Sequence, residues 1–447
     1  MRKTVNLSKG LNLSLEGGLT DTHAVATVTA GRVAVVPDDF TGLQPKLEVA
    51  EGDAVGAGSP LLRDKTDPAV KLVSPIAGVV EAVVRGPRRK IERVVVKADP
   101  DKGLSDTILS VNAADAEGVK SALKASGLWA MMRRRPYDII PQPDDTPRDI
   151  FVTAMDTAPL ALNLEEMVAG KSAEIAAGVK ALALLTKGHI YIGVAAGSKL
   201  PDIEGAEMVE FPMLHPAGNA GIQAANIAPV NKGEVIWTLD IVTLAKIGTL
   251  MTTGKIDTEV TVAITGGEVI TPKVVKTVAG VELNALVDGD IKDDNRHHRI
   301  ISGNVLTGIP ESREGYLRYP YRQVTVIPEG DDADEFMGWA SLSPRKMSVS
   351  RSFLSKLLGG RFNPDARLNG GRRAMIMSEV YDPYIPMDIM PEYLIKAIQA
   401  RDIDQMEALG IYEVAPEDFA LAEYADPSKL ELQKTVRQGL DYLRSEV

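Results

Sequence analysis

One glycine-bearing loop holds the residues of this chain that are best placed to contact a ligand. The loop, His215-Pro-Ala-Gly-Asn-Ala-Gly221, follows a predicted strand that ends at Phe211. Doubly wound proteins bind ligands just beyond their strand ends, where glycines expose backbone N–H groups. His215, Gly218 and Gly221 are therefore the predicted ligand loop. His215 could contact a ligand, coordinate a metal or be an ordinary loop histidine, and the last is favoured because no second ligand stands at metal spacing.

A second group of candidates combines large apolar side chains with positive charge. Trp129, Met131 and Met132 directly precede Arg133-Arg134-Arg135, the densest positive charge in the sequence. An apolar ligand pocket uses such side chains together with one or two hydrogen-bond donors, although ordinary core packing is the simpler explanation for Trp and Met. The three arginines, Arg133, Arg134 and Arg135, favour contact with an acidic partner or anionic lipid, or they form a solvated face.

Lys65 lies between two strand–turn–strand halves, 45–61 and 74–80, whose glycine turns are typical of a small flattened barrel. The two halves resemble the barrel-sandwich hybrid of biotinyl and lipoyl carrier domains, which carry their modified lysine at this place. Here Pro75 follows Lys65 by ten positions, a wider spacing than in lipoyl domains. A solvated loop lysine is therefore favoured over a modified one.

The overall composition limits the classes of function. The chain has 447 residues, of which 45% are hydrophobic and none is cysteine, and its formal net charge at pH 7 is −11. Without thiols the chain has no disulfide, no cysteine nucleophile and no thiolate-bound zinc or iron–sulfur cluster. The acidic balance argues against nucleic acid as a partner. The longest charge-free run, 211–231, contains prolines and glycines and predicts no membrane span, so we expect a chain that stays in the cytoplasm.

The sequence patterns change along the chain and predict a multidomain protein of mixed α/β and α+β class. Short strands with glycine turns predict an N-terminal segment plus a barrel-sandwich hybrid domain over 1–98, followed by a connector over 99–147. Alternating strands and helices predict a Rossmann-like domain over 148–257. Two-residue periodicity predicts a β-grasp (SLBB-like) domain over 258–330, and 331–447 are predicted to be mainly helical.

Several helices are predicted more closely from periodicity and end signals. One covers 116–126 and is closed by Gly127, one helical stretch runs from about 164 to 185, and another lies between Asp240 and Gly254. The last helix is predicted to bury Leu432, Val436, Leu440 and Leu443.

The domain order and a set of short phrases resemble one protein family over nearly the whole chain. The phrases include Lys9-Gly-Leu-Asn-Leu13, Ser126-Gly-Leu-Trp129, Ala154-Met-Asp-Thr157, His215-Pro-Ala-Gly218 and Pro386-Met-Asp-Ile389. As a set they are similar to the A subunit of the Na⁺-translocating NADH:quinone oxidoreductase. More distantly, the domain order is similar to the Rnf C subunit and to the NADH-binding flavoprotein of complex I.

This resemblance implies a peripheral subunit on the cytoplasmic side of the bacterial inner membrane. It would belong to a six-subunit complex that oxidises NADH, reduces quinone and exports Na⁺, with FMN, FAD, riboflavin and iron centres in the partner subunits. The distant relatives hold flavin with a glycine-rich loop and a cluster with cysteines. Because this chain has no cysteine and no glycine over 154–160, we expect it to bind no redox cofactor and not to be catalytic alone.

A quinone pocket is a further expectation from the resemblance. Its candidate residues are Phe40, Gly42, Trp129, Met131 and Met132, with His215 as a candidate donor to a quinone carbonyl. A purely structural subunit that docks the other subunits without touching quinone stays open beside it. The alternative from another class is a soluble carrier or nucleotide-binding enzyme built on the barrel-sandwich and Rossmann-like domains.

Overall fold

The computed structural model describes residues 2–22, 25–294, 296–331, 346–349, 359–368, 370–377 and 379–446. Two six-stranded sheets, two smaller sheets and a C-terminal group of helices organise this part of the chain. Among the described residues, no helix combines the length and the apolar character that crossing a bilayer requires.

Two small antiparallel sheets lie between residues 32 and 98. The first contains, in spatial order, β3 (Arg32–Val35), β9 (Ile91–Ala98), β8 (Gly78–Arg85) and β5 (Ala54–Val55), and the second contains β4 (Pro45–Leu47), β6 (Pro60–Asp64) and β7 (Lys71–Val73). Side chains from both sheets, including Val33, Leu62 and Val94, share one buried core. The turn before β5 contains Gly52 at φ +91°, a backbone conformation that glycine adopts without steric cost.

A mostly parallel sheet forms the middle of the molecule. Its spatial order is β1 (Lys3–Thr4), β13 (Glu207–Phe211), β12 (Ile190–Ala195), β11 (Ile150–Thr153), β14 (Ile236–Asp240) and β10 (Arg133–Arg135), and β10 alone among these runs antiparallel to its neighbour. The helices of this region are α1 (Ala116–Ser126), α2 (Leu164–Met167), α3 (Ser172–Ala183), α4 (Ala220–Ile227) and α5 (Ile241–Thr253). α3 and α5 approach so closely that a Cβ on Gly248 would lie 1.7 Å from the Glu174 carbonyl oxygen.

The second six-stranded sheet is mixed. Its order is β18 (Ile309–Glu311), β17 (His298–Ser302), β19 (Gln323–Pro328), β15 (Glu259–Thr265), β16 (Lys273–Val278) and β2 (Val25–Thr27), and a short helix, α6 (Asn284–Val287), follows β16 in the chain. Most of its core side chains, such as Ile264, Val275 and Val324, belong to the same buried cluster as those of the small sheets. The two regions therefore share one hydrophobic core.

The C-terminal helices pack into a separate core. They are α7 (Pro391–Ala400), α8 (Ile403–Ala408), α9 (Ala420–Ala425) and α10 (Leu432–Glu446). The predicted buried face of the last helix is confirmed, since Leu432, Val436, Leu440 and Leu443 are all fully buried.

The helix predictions are confirmed at two positions and differ at a third. α1 ends at Gly127, whose φ is +83°, and α5 begins after Asp240, whose side chain accepts a hydrogen bond from Thr243 N, so both end signals act as expected. The stretch from 164 to 185 is not one helix. It is divided into α2 and α3 because Gly170 adopts φ +81°, which interrupts the helical path.

Three short edge strands pair outside the regions expected for them. β1 and β2 come from the N-terminal segment, yet β1 pairs with β13 and β2 pairs with β16. β10 comes from the connector and pairs with β14 of the parallel sheet. Strands of two or three residues carry no readable period, so their partners are decided by tertiary packing rather than by local sequence.

A buried ion pair joins the connector to the C-terminal helices. The Arg135 side chain is 2% exposed and its Nη1 donates to Asp418 Oδ2 at 2.9 Å and to the Glu413 carbonyl at 3.0 Å. Asp418 is fully buried. A buried carboxylate is stable only while its cationic partner stays in place.

Replacing Arg135 by Met leaves the Asp418 carboxylate buried without its counter-charge. We expect the free energy of unfolding, measured by urea denaturation, to fall by about 3–5 kcal/mol. The matched control is Arg85→Met, which removes an exposed arginine and is expected to change stability by less than about 0.5 kcal/mol. Equal effects of the two substitutions would contradict a role for Arg135 in holding the C-terminal helices.

Candidate ligand-binding cavity

An apolar cavity of about 110 Å³, partly open to solvent, lies where the small sheets, the parallel sheet and the second six-stranded sheet meet. Phe40 and Met131 line it together with Leu72, Leu128 and Tyr319. They reach the cavity from segments far apart in the sequence, so the fold, and not any local motif, brings them together.

An aromatic stack forms one wall of the cavity. The rings of Phe40 and Tyr319 are nearly parallel, with centroids 5.0 Å apart and an interplanar angle of 11°. The Tyr319 hydroxyl donates to the carbonyl oxygen of Met131 at 2.5 Å. Burial raises the pKa of Tyr319 above its ordinary value, so this hydroxyl stays protonated and keeps Met131 fixed beside the stack.

Asp39 holds the stack in position. It ends the 3₁₀ turn Pro37–Asp39, and its Oδ1 accepts from Arg318 Nε at 2.8 Å while Oδ2 accepts from Tyr319 N at 3.0 Å. Burial raises the pKa of Asp39, and the Arg318 guanidinium opposes that rise. These contacts tie Asp39, which directly precedes Phe40, to Tyr319, on which Phe40 stacks.

Lys246 brings a positive charge to the cavity wall. It lies on α5, lines the cavity and is 5% exposed. Its Nζ donates to the carbonyl oxygens of Asp257 at 3.1 Å and Glu259 at 2.5 Å. Burial lowers the pKa of Lys246 to about 8. Sequence reasoning missed this residue, although it is the single charge in the run Ile241–Met251.

A separate, more polar cleft opens at the carboxyl end of the parallel sheet. It is lined by Thr153 and Asp240, which end β11 and β14, and by His215 and Gly218. β11 lies between β12 and β14, so the chain order reverses there, which is the place where open α/β sheets bind ligands. The cleft and the cavity share a wall made by Met131 and residues 319–322.

His215 is buried in the cleft wall and is neutral at physiological pH. It is 4% exposed, its Nδ1 lies 3.2 Å from Thr157 Oγ1, and its buried Nε2 has no hydrogen-bond partner within the described residues. Burial lowers the pKa of His215 to about 4. Among the described residues, the His and carboxylate atoms that lie close enough together to hold a metal ion belong to Glu268, Asp294 and His298. His215 is not part of this group.

Three family models match consecutive parts of the chain. Their descriptions are the NqrA N-terminal barrel-sandwich hybrid domain for residues 5–99, the NqrA second alpha/beta domain for 114–256 and the NQRA C-terminal domain, of SLBB type, for 261–310. With the sheets and C-terminal helices described above, they confirm the predicted fold class.

Curated relatives match over the whole length. The A subunit of the Na(+)-translocating NADH-quinone reductase of Pasteurella multocida is 34% identical, with 99% of this chain and 100% of the relative covered. The corresponding A subunit of Saccharophagus degradans is 35% identical at the same coverage. The chain belongs to the family of A subunits of the Na⁺-translocating NADH-quinone reductases.

A solved structure, an NAD⁺-reducing [NiFe]-hydrogenase in the H₂-reduced state, covers 48% of this chain and 47% of its own at 13% identity and a TM-score of 0.33. A score this low supports no argument about this member of the A-subunit family. The predicted family is confirmed by the full-length relatives and the three family models.

Two of the five residues predicted for a quinone pocket line the apolar cavity of this A-subunit family member. They are Phe40 and Met131. Trp129 and Met132 are fully buried in the neighbouring core, where the Trp129 ring meets Trp237 edge-on at 5.2 Å. Gly42 does not line the cavity. It adopts φ +93°, and a Cβ there would come within 2.9 Å of Ile139 Cβ.

The two glycines of the predicted ligand loop are explained by close packing. A Cβ on Gly218 would lie 2.7 Å from Thr157 N, and Gly218 N already donates to Thr157 Oγ1 at 2.9 Å. A Cβ on Gly221 would lie 2.3 Å from the Arg135 guanidinium. Gly218 and His215 line the cleft, and their contact with a ligand stays a prediction.

The arginines of the cluster are held by contacts within this chain, and their contact with a partner or with lipid stays a prediction. Arg133 Nη2 donates to the Asp39 carbonyl at 2.7 Å, Arg134 Nε lies 2.9 Å from Asp145 Oδ2, and Arg135 is buried against Asp418. All three guanidinium groups contact this chain itself, because β10 carries them between packed domains. The sequence could not show this, since the partners are distant along the chain.

Lys65 follows β6 and is exposed in the turn before β7. Its backbone N–H donates to the Gln44 carbonyl at 2.8 Å. The position resembles the hairpin turn of a carrier domain, and the modification of Lys65 stays a prediction.

The depressed pKa of His215 makes folding stability depend on pH. As the pH falls below 6.5 the unfolded chain binds a proton that the folded chain accepts only near pH 4, so stability falls over that window. We expect wild type to lose about 3 kcal/mol more than His215→Asn between pH 7 and 4, measured by urea denaturation. An NMR titration midpoint near 6.5 for the His215 ring would contradict this burial.

Proposed function

We propose that this chain is the peripheral A subunit of a complex that transfers electrons from NADH to quinone and exports Na⁺. The observation that carries the proposal is the match to relatives bearing that name over 99% of this chain at 34–35% identity. The finer placement, on the cytoplasmic side of the membrane in a six-subunit complex, rests on the family resemblance. We also propose that the domains of this chain end at residues 98, 147, 257 and 330.

We propose further that the chain contains no redox centre of its own and acts in assembly and quinone binding. The sequence contains no cysteine for a cluster, and 154–160, the loop after β11, contains no glycine that would let a flavin phosphate approach the backbone. FMN, FAD, riboflavin and iron centres then belong to the partner subunits.

The apolar cavity supports quinone binding. Its lining is mostly apolar with a few polar groups, as in small-molecule sites. The stacked pair of Phe40 and Tyr319 offers an aromatic surface to a planar ring. The mostly apolar lining, with a few polar side chains such as Lys246, suits a ring with carbonyl oxygens and a hydrocarbon tail.

Deleting the gene for this chain in its host tests the assembly role. We expect membranes of the deletion strain to lose Na⁺-stimulated reduction of quinone by NADH, because the complex lacks one subunit. An affinity-tagged copy is expected to restore the activity and to co-purify with membrane subunits from detergent extracts. Full activity in the deletion strain, or a tagged chain that purifies alone, would contradict the proposal.

Replacing Phe40 by Ala removes one half of the aromatic stack. We expect the affinity for a soluble short-chain quinone, followed by tryptophan fluorescence of the purified chain, to fall about tenfold. The control is Tyr393→Ala, which removes an aromatic ring that is 56% exposed and outside the cavity and should leave the affinity unchanged. Binding that is equally tight in Phe40→Ala would remove the cavity from consideration.

A further inference from the structure

Lys246 is a buried cation whose hydrogen-bonding capacity is not used up by the chain. An ammonium group has three N–H donors and no acceptor. In the described part of the chain Nζ makes two hydrogen bonds, to the carbonyl oxygens of Asp257 and Glu259, and no ion pair. One donor therefore has no acceptor there. The side chain lines the cavity and is only 5% exposed, so this donor is largely shielded from solvent.

The neighbouring carboxylates are occupied by other cations. The Asp257 carboxylate lies 3.9 Å from Lys171 Nζ. The Asp240 carboxylate accepts hydrogen bonds from Nη1 and Nη2 of Arg322, at 2.9 and 3.0 Å. A charged donor buried without a full set of acceptors is costly, and the lowered pKa of Lys246 agrees with that cost. A ligand oxygen in the cavity would complete its coordination.

We infer that Lys246 donates a hydrogen bond to a carbonyl oxygen of the quinone ring held in the cavity, and that it thereby selects carbonyl-bearing rings over purely hydrocarbon ones. This inference rests on the proposed quinone function. The chemistry is complementary: the cavity offers apolar walls and the Phe40 and Tyr319 stack for the ring, and a cationic donor for an oxygen that can only accept. Lys246 is thus a recognition residue and not a redox centre.

The test is quinone binding by the purified full-length chain with Lys246→Met, which keeps the length of the side chain and removes the donor. We expect the affinity for a soluble short-chain benzoquinone to fall about 10- to 100-fold, because a hydrogen bond from a charged group is lost. Lys246→Arg, which keeps the charged donor, should retain most of the affinity. The matched control is Lys171→Met. Lys171 lies beside Asp257, as Lys246 does, but it does not line the cavity, so this variant should bind quinone like wild type.

A second comparison needs no variant. Wild type should bind the benzoquinone at least tenfold more tightly than the same ring with its two carbonyls replaced by C–H. Lys246→Met should bind this hydrocarbon analogue as wild type does. Equal affinity of wild type for both rings would overturn the inference, as would a Lys246→Met variant that melts at a lower temperature yet binds quinone normally. If wild type binds neither ring, the proposed quinone function fails together with the inference.

Discussion

Arginine–aspartate pairs, one fully buried and two partly buried, are the constraint on which the arrangement of this molecule depends. Arg318 holds Asp39, Arg322 holds Asp240, and Arg135 holds Asp418, and in each pair the partners lie 82 or more positions apart in the sequence. Although burial acts to raise it, Arg322 keeps the pKa of Asp240 below its ordinary value. Separating such a pair would strand a charge in a poorly solvated place. The regions that carry these residues therefore pack so that all three pairs stay closed.

Two of these pairs bracket the wall between the cavity and the cleft. Arg318 and Arg322 flank residues 319–321, so their aspartates fix that short segment from both sides. Tyr319 is thereby pressed against Phe40, and its hydroxyl reaches Met131. Asp39, Arg318 and Arg322 themselves line the cavity, so the charge pairs that position the site form part of its wall, while the rest of the lining is largely apolar.

Features that depend on neighbouring residues could be predicted from the sequence, whereas contacts between residues far apart in the chain could not. Gly127 and Asp240 mark helix ends because capping depends on neighbouring residues. The family was recognisable because a set of short phrases that resemble it, such as His215-Pro-Ala-Gly218, is spread along the whole chain. The burial of Arg135 depends on Asp418, 283 positions away. Lys246 gave one signal, an isolated charge in an apolar helix, yet its carbonyl partners and cavity appear only after folding.

The central claim is that the apolar cavity between the domains binds the quinone ring. A crystal structure of the chain soaked with a brominated short-chain benzoquinone measures this directly, because bromine marks its position by anomalous scattering. We expect an anomalous peak inside the cavity, beside Phe40 and with a ring oxygen within hydrogen-bond distance of Lys246 Nζ. A peak confined to the polar cleft at His215, or an empty cavity at saturating quinone, would contradict it.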